Sequence, residues 1–242
     1  MKAVQKLIWL IGLIVLVTVN SQAQVINAGV GGNSTSDLLA RIEKDVLQQE
    51  PDLVIVMVGT NDMLNSKKMN SYEQYASNLD EIVKTLKQNK AEVVLMAPPP
   101  ADSSYLFERH VRKLFASVPN VKLDSARQII AKTARKQNVH FVDIYQQFSN
   151  LNLPQHNTDL FIMNPKNSGY RDGVHPTALG YHFIAENVFQ FLKKKKLLEK
   201  GDKVLCFGDS ITFGSKVKGS GTAEGETYPA YLQNAITTYY EN

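Results

Sequence analysis

A single cysteine, Cys206, stands in 242 residues. It excludes an intrachain disulfide. It also excludes a lipid-modified cysteine at an N-terminal leader junction, because none occurs there. Cys206 falls in an apolar stretch before Gly208, where a buried, inert thiol is expected. The five histidines show neither an H-E-x-x-H motif nor paired metal-ligand spacing, so no metal and no cofactor is expected. Basic residues cluster once, at Lys193–Lys196, with no interleaved aromatics and no second cluster, so no nucleic-acid partner is expected. That run follows Phe183, Ile184, Val188, Phe191 and Leu192 and reads as a solvated helix end. There is no internal repeat. Gly29-x-Gly31 lacks the third glycine of a dinucleotide fingerprint, with Ser34 in its place. Ser210 is not in a G-x-S-x-G elbow, because Thr212 stands where the second glycine would be.

What is present begins with a leader. Lys2 and Lys6 precede the apolar run Leu7–Val19, which is short of the roughly 20 residues of a membrane helix. Ser21-Gln22-Ala23 then offers a small-x-small cleavage site. Residues 1–23 read as a secretory signal peptide, and 24–242 as a single domain in the secreted or periplasmic space. An uncleaved anchor is the alternative. Cleavage leaves 25 basic against 23 acidic residues. The mature chain is then nearly neutral, with no stable membrane insertion expected.

Apolar runs and amphipathic stretches alternate. Val25–Ala28, Leu53–Val58, Glu92–Met96, Val139–Val142 and Lys203–Phe207 read as strands. Leu53–Val58 shows no polar alternation, as expected of a strand buried on both faces. Helices are expected from Ser34 or Thr35 to about Gln49, and over Ser71–Gln88, Tyr105–Ser117, Ser125–Gln137, Thr177–Lys194 and Pro229–Tyr240. Gln146–Arg171 reads as a long loop beside the site. The alternation predicts an α/β fold with a parallel sheet covered on both faces. Such sheets place their ligands at the turns after strands. Gly29–Asn33, Gly59–Asp62, Pro98–Pro100 and Gly208–Thr212 fall there.

Three of these neighbourhoods carry chemistry. Ser210 follows a strand in Gly208-Asp209-Ser210. His175 lies three residues after Asp172, so one tight turn lets a carboxylate orient an imidazole that could take a serine proton. Asn61 follows the buried strand, where its amide could donate to an oxyanion. Gly31-Gly32 lets backbone approach a ligand closely. Each motif alone also fits an ordinary turn.

Together they resemble the sequence blocks of the SGNH hydrolase family, also called GDSL-type esterases and lipases. The matching stretches are Gly208-Asp209-Ser210-Ile211, Asn27–Ser34, Gly59-Thr60-Asn61-Asp62 and Asp172-Gly173-Val174-His175-Pro176, spread over the whole mature chain. The resemblance implies a flavodoxin-like three-layer sandwich with strand order 2-1-3-4-5. It implies Ser210 as nucleophile, His175 as base and Asp172 as its orienting acid. The oxyanion hole would be the N–H groups of Ser210 and Gly32 with the amide of Asn61.

The run Gly208–Gly214, with Tyr228-Pro229-Ala230-Tyr231-Leu232 downstream, is similar to secreted members that deacetylate carbohydrates. It implies removal of O-acetyl groups from a glycan or sialic acid. Lysophospholipid or short acyl-ester hydrolysis is the alternative within the class. A catalytically inactive glycan-binding protein is the alternative outside it.

The family's Gly-Asp-Ser block comes first, whereas here it comes last. Joining Asn242 to Gln24 would restore the order. The resemblance therefore implies a circular permutation, with residues 193–202 linking the ancestral termini, or else a truncated tandem array. Exchange of the C-terminal piece between two chains would give a domain-swapped homodimer with Ser210 supplied in trans.

Overall fold

The computed structural model describes residues 23–241. The expected leader therefore lies, except for Ala23, outside the described residues. Five strands form one sheet: β1 (Gln24–Gly29), β2 (Leu53–Met57), β3 (Glu92–Met96), β4 (His140–Val142) and β5 (Lys203–Gly208). All pairings are parallel, in the order β1-β5-β2-β3-β4. Counted from β5 as first, that order reads 2-1-3-4-5.

The alternation along each strand divides the core. Val54 and Val56 of β2, with Leu205 and Phe207 of β5, face one layer of helices. That layer is α1 (Thr35–Asp45), α3 (Tyr72–Gln88) and α4 (Pro119–Gln137). Leu53, Ile55 and Met57, with Val204 and Cys206, face the other layer, built from α5 (Ile144–Asn150), α6 (Ala178–Lys195) and α8 (Tyr228–Glu241). Successive side chains of a strand point to opposite faces, so a strand covered on both sides must be apolar throughout. Cys206 is fully buried, and burial pushes its thiol up to about 12, as an inert thiol requires. No helix among the described residues is long and apolar enough to cross a membrane.

The helix boundaries follow their caps. Ser71 caps α3 by accepting from Gln74 N–H, and Thr177 caps α6 by accepting from Gly180 N–H. The expected first helix ends at Asp45, and a separate 3-10 turn covers Leu47–Gln49. The helix expected over Tyr105–Ser117 is replaced by two 3-10 turns, Leu106–Glu108 and Arg112–Leu114. Within that stretch Val111 and Leu114 are exposed, so its apolar residues make no single buried stripe. Val118 is extended before Pro119, which opens α4 well ahead of Ser125. Gln146–Asn150, expected as loop, belongs to α5, whose cap Asp143 accepts from Gln146 N–H. Two short helices were not foreseen: α2 (Thr60–Leu64) and α7 (Ser210–Phe213). Within Lys193–Asp202, the first three residues complete α6, Lys196 closes it in the left-handed conformation, and the remainder leads into β5.

Candidate active site

The carboxyl ends of β1, β5 and β2 meet in register, with Gly208 level with both Gly29 and Met57. Two glycines allow the chain to turn there. A Cβ on Gly208 would lie 2.3 Å from the Met57 carbonyl oxygen, and one on Gly29 would lie 2.1 Å from the Phe213 nitrogen. Backbone in contact on that scale leaves no room for a side chain. Asp209 accepts from Ile211 N–H at 2.9 Å and starts α7, which Ser210 heads. The Ser210 N–H is thus among the first-turn amides that a helix leaves without an internal partner.

The structure brings together the three side chains that the sequence separates. Ser210 Oγ lies 3.0 Å from His175 Nε2. His175 Nδ1 lies 2.9 Å from Asp172 Oδ2. Asp172 is fully buried, and its Oδ1 accepts from the N–H groups of Val174 and His175, each at 2.9 Å. Its Oδ2 also receives the ammonium of Lys216. Burial alone would raise this carboxyl. The hydrogen bonds from His175 and the Lys216 ammonium outweigh burial and hold the group well below the usual carboxylate range. Asp172 therefore stays ionised and fixes the ring with Nδ1 as donor and Nε2 as the acceptor facing Ser210. Lys216 escaped sequence reading because it comes from the segment after α7, and no motif or spacing ties it to Asp172.

Asn61 lies in α2, beside Ser210 and His175, in the same small pocket. Its Nδ2 donates to the Asn33 carbonyl at 3.0 Å, and its Oδ1 accepts from Asn65 at 3.0 Å. The amide is thereby oriented, with one N–H left over. The Asn33 bond also ties Asn61 to the turn carrying Gly32, whose φ is +77°. Neither Gly31 nor Gly32 lines the pocket, and a Cβ built on either meets no heavy atom within 4 Å.

Two further residues hold this edge together. Asp62 accepts from Thr35 N–H at 3.0 Å and from Asn70 Nδ2 at 2.7 Å, pinning the start of α1 to α2. Burial nonetheless pushes its carboxyl up. Arg41 donates to the carbonyls of Ala28 (3.0 Å) and Gly208 (2.8 Å) and lies over the Phe207 ring. It clips β1 to β5 just before the serine.

Asp209 is fully buried, and its Oδ2 has no hydrogen-bond partner among the described residues. Burial pushes its carboxyl from 3.8 up to about 7, against the Ile211 N–H bond. The folded protein then keeps a proton that the unfolded chain releases above about pH 4. Through this group, stability falls as pH rises from about 4 to 7, by about 4 kcal/mol at most. Asp172 acts in the opposite sense and only at more acid pH. Asp209→Asn keeps the acceptor for Ile211 and removes the titration. Denaturant midpoints across pH 4 to 8 are expected to show a flatter profile in the variant. An unchanged slope would take Asp209 out of this role.

The pocket at Ser210 is about 70 Å³, with Leu64, Leu106 and Val174 supplying apolar wall. That is far below the roughly 300–1,000 Å³ of typical small-molecule sites. A larger groove of about 510 Å³ between α6 and α8 holds none of the residues above. Among the described residues, no group of three or more His, Cys, Asp or Glu could hold a metal. A hydroxyl against an oriented imidazole, beside amide donors and a small apolar pocket, can perform acyl transfer to water.

Comparison with known proteins gives a consistent picture. The model of the GDSL-like Lipase/Acylhydrolase family matches residues 15–183, a span that takes in Gly32, Asn61, Asp172 and His175 and ends before Ser210. The chain is 26% identical over 184 residues to an acetylxylan esterase of Geobacillus stearothermophilus, covering 73% of this chain and 75% of the relative. It is 27% identical over 173 residues to an arylesterase of Vibrio mimicus, covering 70% of each. Among solved structures, a lipase/acylhydrolase from Enterococcus faecalis superposes with a TM-score of 0.54 at 24% identity, over 68% of this chain and 72% of the other.

Proposed function

The chain belongs to the GDSL-like Lipase/Acylhydrolase family and is a serine ester hydrolase, and on that premise we propose that it removes O-acetyl groups from a carbohydrate outside the cytoplasm. The observation that carries the reading is the continuous contact from Ser210 Oγ through His175 to Asp172 beside a pocket of about 70 Å³. Ser210 Oγ attacks the ester carbonyl as His175 Nε2 takes its proton. The N–H groups of Ser210 and Gly32 and the amide of Asn61 receive the oxyanion. His175 returns the proton to the leaving alcohol oxygen, and the acyl group stays on Ser210. Water, deprotonated by His175, then attacks the acyl carbon, and His175 returns that proton to Ser210 Oγ as the acyl bond breaks and acetate leaves.

The small pocket supports acetyl over long acyl chains, and so favours this reading over a lysophospholipase. The acetylxylan esterase relative supports a glycan as the alcohol half. Three side chains linked in sequence by hydrogen-bond contacts through His175 support turnover over a glycan-binding protein that has lost it. The leader supports export. The strand order counted from β5 supports a circular permutation, with residues 193–202 bridging the ancestral termini.

A p-nitrophenyl ester series tests the acyl preference. kcat/KM is expected to be highest for acetate and to fall by about tenfold or more by octanoate, because added methylenes find no pocket. A profile that rises with chain length would replace the acetylesterase reading with the lysophospholipase one.

A further inference from the structure

Basic side chains gather at the mouth of the Ser210 pocket, and the carboxylates near them already have hydrogen-bond partners. Arg109 and His110 line the pocket together with Ser210 and His175. The Arg109 guanidinium donates to two carbonyls, of Arg171 and Asp172, each at 2.8 Å. Its nearest carboxylate oxygen, Asp172 Oδ1, is 3.9 Å away. That carboxylate is already engaged by Lys216 and His175. Glu108 is paired with Arg171, and Asp102 accepts a hydrogen bond from His156 Nδ1 at 2.7 Å. Lys67 makes no ion pair among the described residues. Two bonds hold its segment against His110: Ser66 N–H donates to His110 Nδ1 at 3.4 Å, and Val111 N–H donates to Ser66 Oγ at 3.3 Å.

Accepting at Nδ1 leaves the hydrogen of the neutral ring on Nε2, as a donor. Burial, then the charges of Arg109 and Lys67, pushes the imidazole down and favours that neutral state. The mouth therefore presents a neutral imidazole beside Arg109, whose one carboxylate partner is already shared with Lys216, and the charge of Lys67 acts on the same ring. A neutral sugar alcohol would leave both charges without a counterpart, whereas an anionic one would fill that place.

We propose that the alcohol half of the ester carries a carboxylate, received at the pocket mouth by Arg109, His110 and Lys67. The inference rests on the esterase reading above. The Ser210 pocket would take the acetyl group, and the cationic mouth would select an acetylated sugar acid over its uncharged counterpart.

Two acetyl esters that differ in one charge test it: 4-acetoxybenzoate and its methyl ester, each rate divided by that ester's own hydroxide-catalysed rate. At low ionic strength the carboxylate is expected to be preferred in kcat/KM by about fivefold, the scale of partly exposed ion pairs. The preference should reside mainly in KM and fall toward one as added salt screens the mouth. Lys67→Glu and Arg109→Gln should each lower the ratio. Because the ratio is taken on one variant at a time, partial loss of folded protein does not move it. Turnover of both esters at a ratio of one or less would overturn this inference and leave the esterase standing. So would a preference untouched by salt, or by both substitutions. Turnover of neither ester would overturn the esterase reading and this inference with it.

Discussion

Ser210→Ala is expected to lower kcat by about five orders of magnitude while leaving the fold intact. The loss is large because nucleophile and base act as a unit, and what remains comes from oxyanion donors and binding alone. The fold should survive because Ser210 Oγ makes its contact with His175, whereas the start of α7 is held by Asp209 and Ile211 N–H. Thermal unfolding should stay cooperative, with stability changed by no more than about 1 kcal/mol. Residual Ser210-independent turnover near the wild-type rate would remove Ser210 as nucleophile. The same variant reports on assembly. In the structure, Ser210 and His175 meet within one chain. Ser210→Ala corefolded with His175→Ala should therefore remain inactive. If β5 and α7 were exchanged between chains, half the sites of a mixed dimer would regain both side chains, and activity would return.

The second large effect is expected from Asn61→Ala, with kcat lower by roughly two to three orders of magnitude and KM little changed, as for loss of one oxyanion donor. Asn61 also does structural work through Asn33 and Asn65. Its removal should cost about 1–2 kcal/mol of stability. The two roles separate by measurement, because a structural loss lowers the active fraction without changing the turnover per active site. Titrating that fraction with an organophosphate gives kcat on the surviving sites. Asn61→Asp preserves the shape, offers no N–H, and should lose kcat as severely. A normal kcat per titrated site in both variants would take Asn61 out of the oxyanion hole.

Much of this architecture could be read from the chain because the relevant physics is local. Leu53–Met57 is apolar on both faces, so its place inside a parallel sheet follows from composition. Asp172 and His175 share a turn, so their pairing follows from spacing. The remainder depends on meetings between distant segments. Arg41 looks like an ordinary exposed-face helix residue, yet it clips the ends of two strands. Asp62 reads as the end of a turn motif, yet it anchors α1 through Thr35. Lys216 and the Arg109–His110 pair reach the site from segments that carry no catalytic motif. The stretch Tyr105–Ser117 misled because its apolar residues follow helical spacing while several of them face solvent. Gly29 permits a close approach that no motif announces, to the backbone of α7.

The central position of β5 also sets a timetable. β1 and β2 have no common neighbour until Lys203–Gly208 slides between them. A growing chain that has not yet made β5 leaves β1 without a neighbour and β2 with an open edge, each ready to pair with anything extended. Closing the sheet requires contacts between the two ends of the chain, which makes it a slow and late step. Ser210 arrives with the strand that closes it. The protein cannot hydrolyse an ester before its sheet is whole, and so the first turnover certifies that folding is complete.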